Sequence, residues 1–291
     1  MEYEDQINQA MDPKYECLLF DLDDTLYPLT SGISSEVTKN IQEYMIKKLG
    51  IKENVPELCV SLYKHYGTTM AGLKAIGYNF EYDDFHSFVH GRLPYAMLKP
   101  DPVLRNLLLS IPIRKIFCIQ IFTNADKNHA VRVLNRLGLE DCFEGIICFE
   151  TLNPINKENP SAADDIKPDT AILDINGYCS AVLDSELKLP STPVVCKPFE
   201  NAFEQVFKIA KINPQKTLFF DDSICNLQTG KKMGLHAVWV GTSHRTDGVD
   251  YALESIHNIR EALPELWEAT DEKTKNIRYS GKISIETTVR A

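Results

Sequence analysis

The run Cys17-Leu18-Leu19-Phe20-Asp21-Leu22-Asp23-Asp24-Thr25-Leu26 takes an apolar stretch abruptly into acids. Four apolar residues followed by Asp-x-Asp-Asp-Thr predict a buried parallel strand whose carboxyl end opens into a crevice, where open α/β sheets hold ligands. Carboxylates as close as Asp21 and Asp23 repel each other, and both stay ionised only if a cation or a proton relieves them. A hard divalent ion, magnesium foremost, suits such an oxygen-only set. The competing reading is a solvated turn, since Asp is common in turns. An EF-hand is excluded, because the Gly and distal Glu of that loop are missing.

Other polar residues fall at the ends of further apolar runs. Ile116 to Phe122 predicts a second strand ending at Thr123-Asn124, and Thr217-Leu218-Phe219-Phe220 predicts a fourth ending at Asp221-Asp222-Ser223. Lys197-Pro198 sits just before an amphipathic stretch carrying Ala202, Phe203, Val206, Phe207 and Ala210. Each is an ordinary turn or cap when taken singly. In a parallel sheet, however, all these carboxyl ends lie along one edge, so residues far apart in sequence converge on one point.

The elements that must position them follow a βαβ rhythm. Gly145 to Phe149 and Ala237 to Val240 complete five expected strands, with helices at Val103–Ser110, around Ala130–Leu137, after Lys197 and over Leu227–Met233. Between the first two strands, 31–100 reads as four short helices. Ile33, Val37, Ile41, Tyr44 and Met45 share one face, Pro56 opens the second helix, the third spans Thr69–Ile76, and Asp83 caps a fourth over Asp84–His90. Residues 151–191 break the rhythm with four prolines and weak apolar patches, the pattern of an insertion. Lys282 to Glu286 in the 271–291 tail alternates like an edge strand, and residues 1–14 read as a loose lead-in.

With 291 residues, 44% hydrophobic and 25% charged, the chain can bury a sizeable core. A net charge of -10 argues against a nucleic-acid polymer, whose phosphates demand a basic face, but leaves a small phosphate ester open. The 8 cysteines include no Cys-x-x-Cys pair and read as reduced thiols. The acidic opening Met1-Glu2-Tyr3-Glu4-Asp5 is unlike a basic targeting peptide, and the longest apolar run cannot span a bilayer. The expectation is a cytoplasmic monomer with no membrane partner, the nucleus remaining open.

The order and spacing of Asp21-Leu22-Asp23-Asp24-Thr25, Thr123-Asn124, Lys197 and Asp221-Asp222 resemble the four motifs of the haloacid dehalogenase-like (HAD) phosphohydrolase superfamily. The resemblance implies a doubly wound parallel α/β sheet, a Rossmann-like core over 15–30 and 101–270, with a helical C1-type cap over 31–100 between the first two motifs. It implies that Asp21 attacks phosphorus to give an aspartyl-phosphate, and that Asp23 protonates the leaving group and then activates water. Magnesium is then held by the Asp21 carboxylate, the Asp23 backbone carbonyl and the Asp222 carboxylate, with Asp221 beside it and Asn226 anchoring the loop. Thr123, the Asn124 backbone amide and Lys197 are implied to hold the phosphoryl group.

Phe20 to Pro28, Leu93-Pro94 with Lys99-Pro100-Asp101, and Phe122 to Asp126 are similar to the pyrimidine 5'-nucleotidase branch of yeast and its plant relatives. That implies UMP or CMP as substrate, with Tyr63, Tyr66, Phe85, Phe88 and Tyr95 available to stack a base and His90 or Arg92 to meet a polar edge. The alternatives are a phosphatase for a sugar phosphate or lysophospholipid, a phosphomutase, or a HAD-fold regulatory protein with slow turnover. Two departures stand out: extra residues in the second strand, counted from Ile113, which could displace Thr123, and the long 151–191 insert.

Overall fold

A computed structural model describes residues 14–112, 116, 118–154 and 189–267. Its strands are β1 (Cys17–Phe20), β2 (Cys118–Phe122), β3 (Gly145–Ile147), β4 (Thr217–Asp221), β5 (His236–Val240) and β6 (Tyr251–Leu253). The helices are α1 (Ile33–Lys47), α2 (Val55–Tyr66), α3 (Thr69–Ala75), α4 (Tyr82–Val89), α5 (Pro102–Leu109), α6 (Lys127–Leu137), α7 (Phe149–Leu152), α8 (Glu200–Ala210), α9 (Ile224–Lys232) and α10 (Ile259–Ala262).

All strand pairings are parallel, in the order β3-β2-β1-β4-β5-β6. This is the doubly wound order whose switch point, where the chain changes direction across the sheet, lies between β1 and β4. Register brings Phe20 beside both Ile121 and Phe220, so Asp21, Phe122 and Asp221 follow at one level. The Asp21 N–H extends the ladder by one bond to the Phe220 carbonyl, 2.8 Å away.

Both faces of the sheet are covered, which is why β1 is apolar at every position rather than alternating. Leu18, Phe20, Ile121 and Phe220 pack with residues of α5, α6 and α10 on one side. Leu19, Phe122 and Phe219 pack with Phe203 and Val206 of α8 and Leu227 of α9 on the other. Phe203, fully buried and edge-on to Phe122 and Phe219, is the kind of residue whose truncation to Ala costs about 3–5 kcal/mol.

Helices α1–α4 have their own apolar cluster, centred on Tyr44, Leu62, Leu73 and Phe85. It also takes in Phe149, Val194 and Cys196 from the sheet domain. The Thr68 side chain caps α3 by accepting from the Ala71 amide, and Asp101 caps α5 through the Leu104 amide. The fourth helix starts at Tyr82, two residues before the expected Asp84, with Glu81 in the cap position. Asp83 and Asp84 lie in its first turn, where acids favour the helix dipole.

Two short elements were not expected: α7, one turn long, and β6, three residues at the sheet's edge. Strand β2 begins at Cys118 rather than Ile113 or Ile116. Ile116 is the single residue described between Pro112 and Cys118. Asn153 and Val195 are joined by two hydrogen bonds, of 3.0 and 2.8 Å, so the start of the 151–191 stretch lies against the chain just beyond its end. Its interior, the 271–291 tail with its expected edge strand, and the lead-in before Lys14 lie outside the described residues. Among the described residues, no helix is long and apolar enough to cross a membrane.

Candidate active site

At the switch point the sheet ends in a cavity of about 600 Å³ whose wall includes Asp21, Asp23, Thr123, Asn124, Lys197, Asp222 and Asn226. From the helical side it is closed by Val37, Ile41, Tyr63, Gly67, Met70 and His90, among others. Gly67 ends α2 with φ +77° and abuts the Lys197 backbone: a Cβ there would lie 2.1 Å from the Lys197 carbonyl oxygen. Only glycine meets both conditions.

Lys197 is the centre of the site. Its ammonium group is buried and spends all three protons on Asp21 Oδ1 at 2.7 Å, Asp221 Oδ2 at 2.7 Å and the Phe122 carbonyl at 2.8 Å. Burial alone would lower its pKa, yet Asp21 and Asp221 outweigh burial and raise it. Its backbone is clamped by the Asn124 side chain, which donates to the Lys197 carbonyl at 3.0 Å and accepts from the Lys197 amide at 2.8 Å.

Asp21, Asp221 and Asp222 bring one carboxylate oxygen each within 4.8 Å of one another. One lysine cannot neutralise three carboxylates. Burial, and then repulsion by Asp221, Asp222 and Asp23, lifts Asp21 well above the carboxylate range against the pull of Lys197. Asp222 is pushed up to about 7 by loss of water around its carboxyl and by Asp221 and Asp24. Asp221 is saturated: it accepts from Lys197, from the Ser223 amide at 2.8 Å and from Asn226 at 3.0 and 3.1 Å. The oxygens left free for an ion therefore belong mainly to Asp21 and Asp222. An oxygen-only, charge-excess set of this kind fits a hard divalent cation.

Asp23 sits in different company. Its carboxylate turns from the other acids to His129 Nε2, at 2.7 Å, and accepts from the Tyr27 hydroxyl at 2.5 Å. Burial would raise its pKa, but His129 and Tyr27 bring it down to about 2. His129 is raised in turn by Asp23, against burial. The repulsion between Asp21 and Asp23 expected from sequence is thus relieved on the Asp23 side by an imidazole, and the excess negative charge stays with the trio.

Thr123 is buried, its amide bonded to the Ile147 carbonyl at 3.0 Å and its hydroxyl accepting from the Ala125 amide at 3.0 Å. It lines the cavity, so the residues preceding β2 do not displace it. Arg92, expected near substrate, pairs instead with Glu43 at 2.9 Å on the surface, its guanidinium over the Phe88 ring, and lines neither of the two cavities described here. It is drawn away because an acid four residues before Lys47 on α1 already offers it a partner. Of the five aromatic candidates, Phe85 and Phe88 pack on Tyr44, Tyr66 bonds the Pro190 carbonyl and Tyr95 bonds His129. Tyr63 keeps a half-exposed ring in the cavity wall.

His129, His86 and Asp126 were not singled out from sequence. One signal was available: His129 shares the buried face of α6 with Ala130, Val133 and Leu137, a position where an apolar residue is expected.

No protein-family model matches the chain. Over 155 residues it is 32% identical to Phosphate metabolism protein 8 of Saccharomyces cerevisiae, covering 50% of this chain and 47% of the yeast protein. The chain thus spans about half the length of that curated relative. Among solved structures, a haloacid dehalogenase-like hydrolase from Bacteroides fragilis aligns over 84% of this chain and 100% of its own, with a TM-score of 0.50 and 16% identity. The magnesium-bound HAD-hydrolase YfnB from Bacillus subtilis aligns over 85% and 98%, with a TM-score of 0.47 and 16% identity. The fold is thus similar to that of a solved haloacid dehalogenase-like hydrolase.

Proposed function

We propose that the chain is a magnesium-dependent phosphomonoesterase working through an aspartyl-phosphate, with pyrimidine nucleoside 5'-monophosphates as substrates. The observation that carries the reading is Asp21 held by Lys197 at the floor of an open cavity, in a carboxylate trio whose charge one lysine leaves uncompensated. Asp21, Asp222 and the Asp23 backbone carbonyl would hold the ion. When bound, magnesium neutralises the carboxylate and phosphate charges that would otherwise keep nucleophile and substrate apart.

The remaining chemistry belongs to the chain. An Asp21 oxygen bonds to phosphorus as the bond from phosphorus to the leaving oxygen breaks, and Lys197 offsets the charge gathering between them. The leaving oxygen needs a proton, yet Asp23 alone is ionised at neutral pH. His129, 2.7 Å from Asp23, supplies that proton through it, so the pair acts as one general acid. In the second step the pair takes a proton from water, which attacks phosphorus and frees Asp21. Ester and water become alcohol and phosphate. Thr123 and the Asn124 amide orient the phosphoryl oxygens. The cavity volume lies in the range of small-molecule sites, and Tyr63 offers a ring for the base.

Phosphate release from a panel of nucleotides, sugar phosphates and lysophospholipids, with magnesium and with chelator, tests the proposal. Release confined to UMP and CMP and lost on chelation is the expected result. Equal release across the panel would remove the nucleotidase assignment, an isomerised product would indicate a mutase, and no release at all would point to a regulatory role.

A further inference from the structure

Helix α4 carries His86 and, one turn later in its C-terminal cap, His90, both on the side facing α6. Opposite them is Asp126, the N-cap of α6, whose Oδ1 accepts from the His129 amide at 3.0 Å. Its other oxygen faces both imidazoles: His90 Nδ1 hydrogen-bonds to it, and His86 Nδ1 lies 3.5 Å away. His86 is 8% exposed, and neither of its ring nitrogens has a hydrogen-bond partner. Buried polar atoms are almost always satisfied, so a ring with two orphan nitrogens beside a carboxylate asks for a ligand.

We propose that His86, His90 and Asp126 form a second metal site, for a borderline transition ion of which zinc is the type, that clips helix α4 to helix α6. The three residues present one ligand atom each within 4.8 Å of one another. Tetrahedral zinc with bonds near 2.0–2.1 Å needs ligand atoms roughly 3.4 Å apart, close to the His86–Asp126 separation. Burial, then the neighbouring imidazole, pushes His86 down to about 4, so it is neutral and its lone pair is free. On binding, the His90 proton moves to Nε2 and Nδ1 turns to the ion, with no net proton lost. Two imidazoles and a carboxylate suit zinc, cobalt or nickel and not magnesium, which separates this site chemically from the all-oxygen trio.

The coordination shell is left open towards a cavity of about 470 Å³, which Glu150 also lines. Glu150 is held by the Lys127 amide at 2.9 Å. The site also adjoins the acid pair, because the His90 ring lies 4.4 Å from that of His129, which in turn bonds Asp23.

The test uses the full chain, stripped with chelator, dialysed and titrated with zinc in excess magnesium, with a chromophoric chelator as competitor. One zinc per chain is expected, with the visible absorption of a low-coordinate histidine site when cobalt replaces it. His86→Gln and His90→Gln should each weaken zinc at least about 100-fold, while Asp222→Asn, in the other cluster, retains it. Should either histidine variant fail to fold, histidine-detected NMR of the unaltered protein gives the answer: zinc must shift the His86 and His90 signals. No zinc bound in excess magnesium, unchanged affinity in both folded histidine variants, or zinc that leaves those signals unmoved would overturn the proposal.

Discussion

Two neighbouring groups of acids are pushed in opposite directions. Asp21 is raised well above its ordinary range and Asp222 is raised to about 7, whereas Asp23 is lowered to about 2 and Asp126 is lowered too. All four are aspartates, so residue type does not explain the split. Their company does. Lys197 is one cation among three carboxylates, while His86, His90 and His129 surround two. The first group is short of positive charge and suits a metal and a phosphate. In the second, His129 beside Asp23 holds a proton of the kind a departing oxygen needs. Titratable groups whose surroundings drive their pKa values apart are how one site carries both roles.

The sharpest way to break that contrast is to remove the nucleophile. Asp21→Asn keeps the shape of the trio and should lower phosphate release by about 10⁴-fold or more. A loss under tenfold would move the chemistry off Asp21. Lys197→Met should come next: it strands Asp21 and Asp221 as unpaired buried charges, lowering stability by about 3–5 kcal/mol in urea melts and abolishing turnover. A variant as stable as the parent would mean that the trio does not depend on its lysine.

His129→Gln tests the proton-holding group and should lower kcat by about 10²-fold. Its stability signature has a definite sign. Asp23, lowered on folding, contributes stability above about 3.8 that is lost as pH falls towards 2. His129, raised on folding, contributes below about 6.5 and loses this as pH climbs through its raised value. The gap between parent and variant in urea melts should therefore be widest between pH 4 and 6.5 and narrower at pH 2.5 and pH 9. A gap flat across pH would deny the pairing. The smallest effect belongs to Arg92→Ala, which cuts an exposed pair and should leave kcat/KM within about twofold. A tenfold loss would return Arg92 to the substrate.

The carboxylate trio and Asp23 were legible in the sequence, whereas His129, His86 and Asp126 were not. Asp21, Thr123, Lys197 and Asp222 each stand at the end of an apolar run or before an amphipathic helix, and a parallel sheet brings such ends to one edge. The strand pattern alone therefore carried the fold and most of the carboxylate cluster. The bond from His129 to Asp23 spans 106 positions and depends on which face of α6 meets the sheet. The meeting of His86, His90 and Asp126 depends on how a separate helical layer docks, which no local period encodes. Asn124 was expected to act through its amide, yet its side chain clamps Lys197, a contact visible only in three dimensions. Elements as short as α7 and β6 leave too few residues for a period to register.

Acid quenching during turnover of UMP, followed by mass mapping of the peptide that contains Asp21, tests the division between the two groups most directly. A phosphoryl adduct on that peptide, absent in Asp21→Asn and longer-lived in His129→Gln, is the predicted result. Turnover at the parental rate in Asp21→Asn with no adduct on the peptide would contradict it.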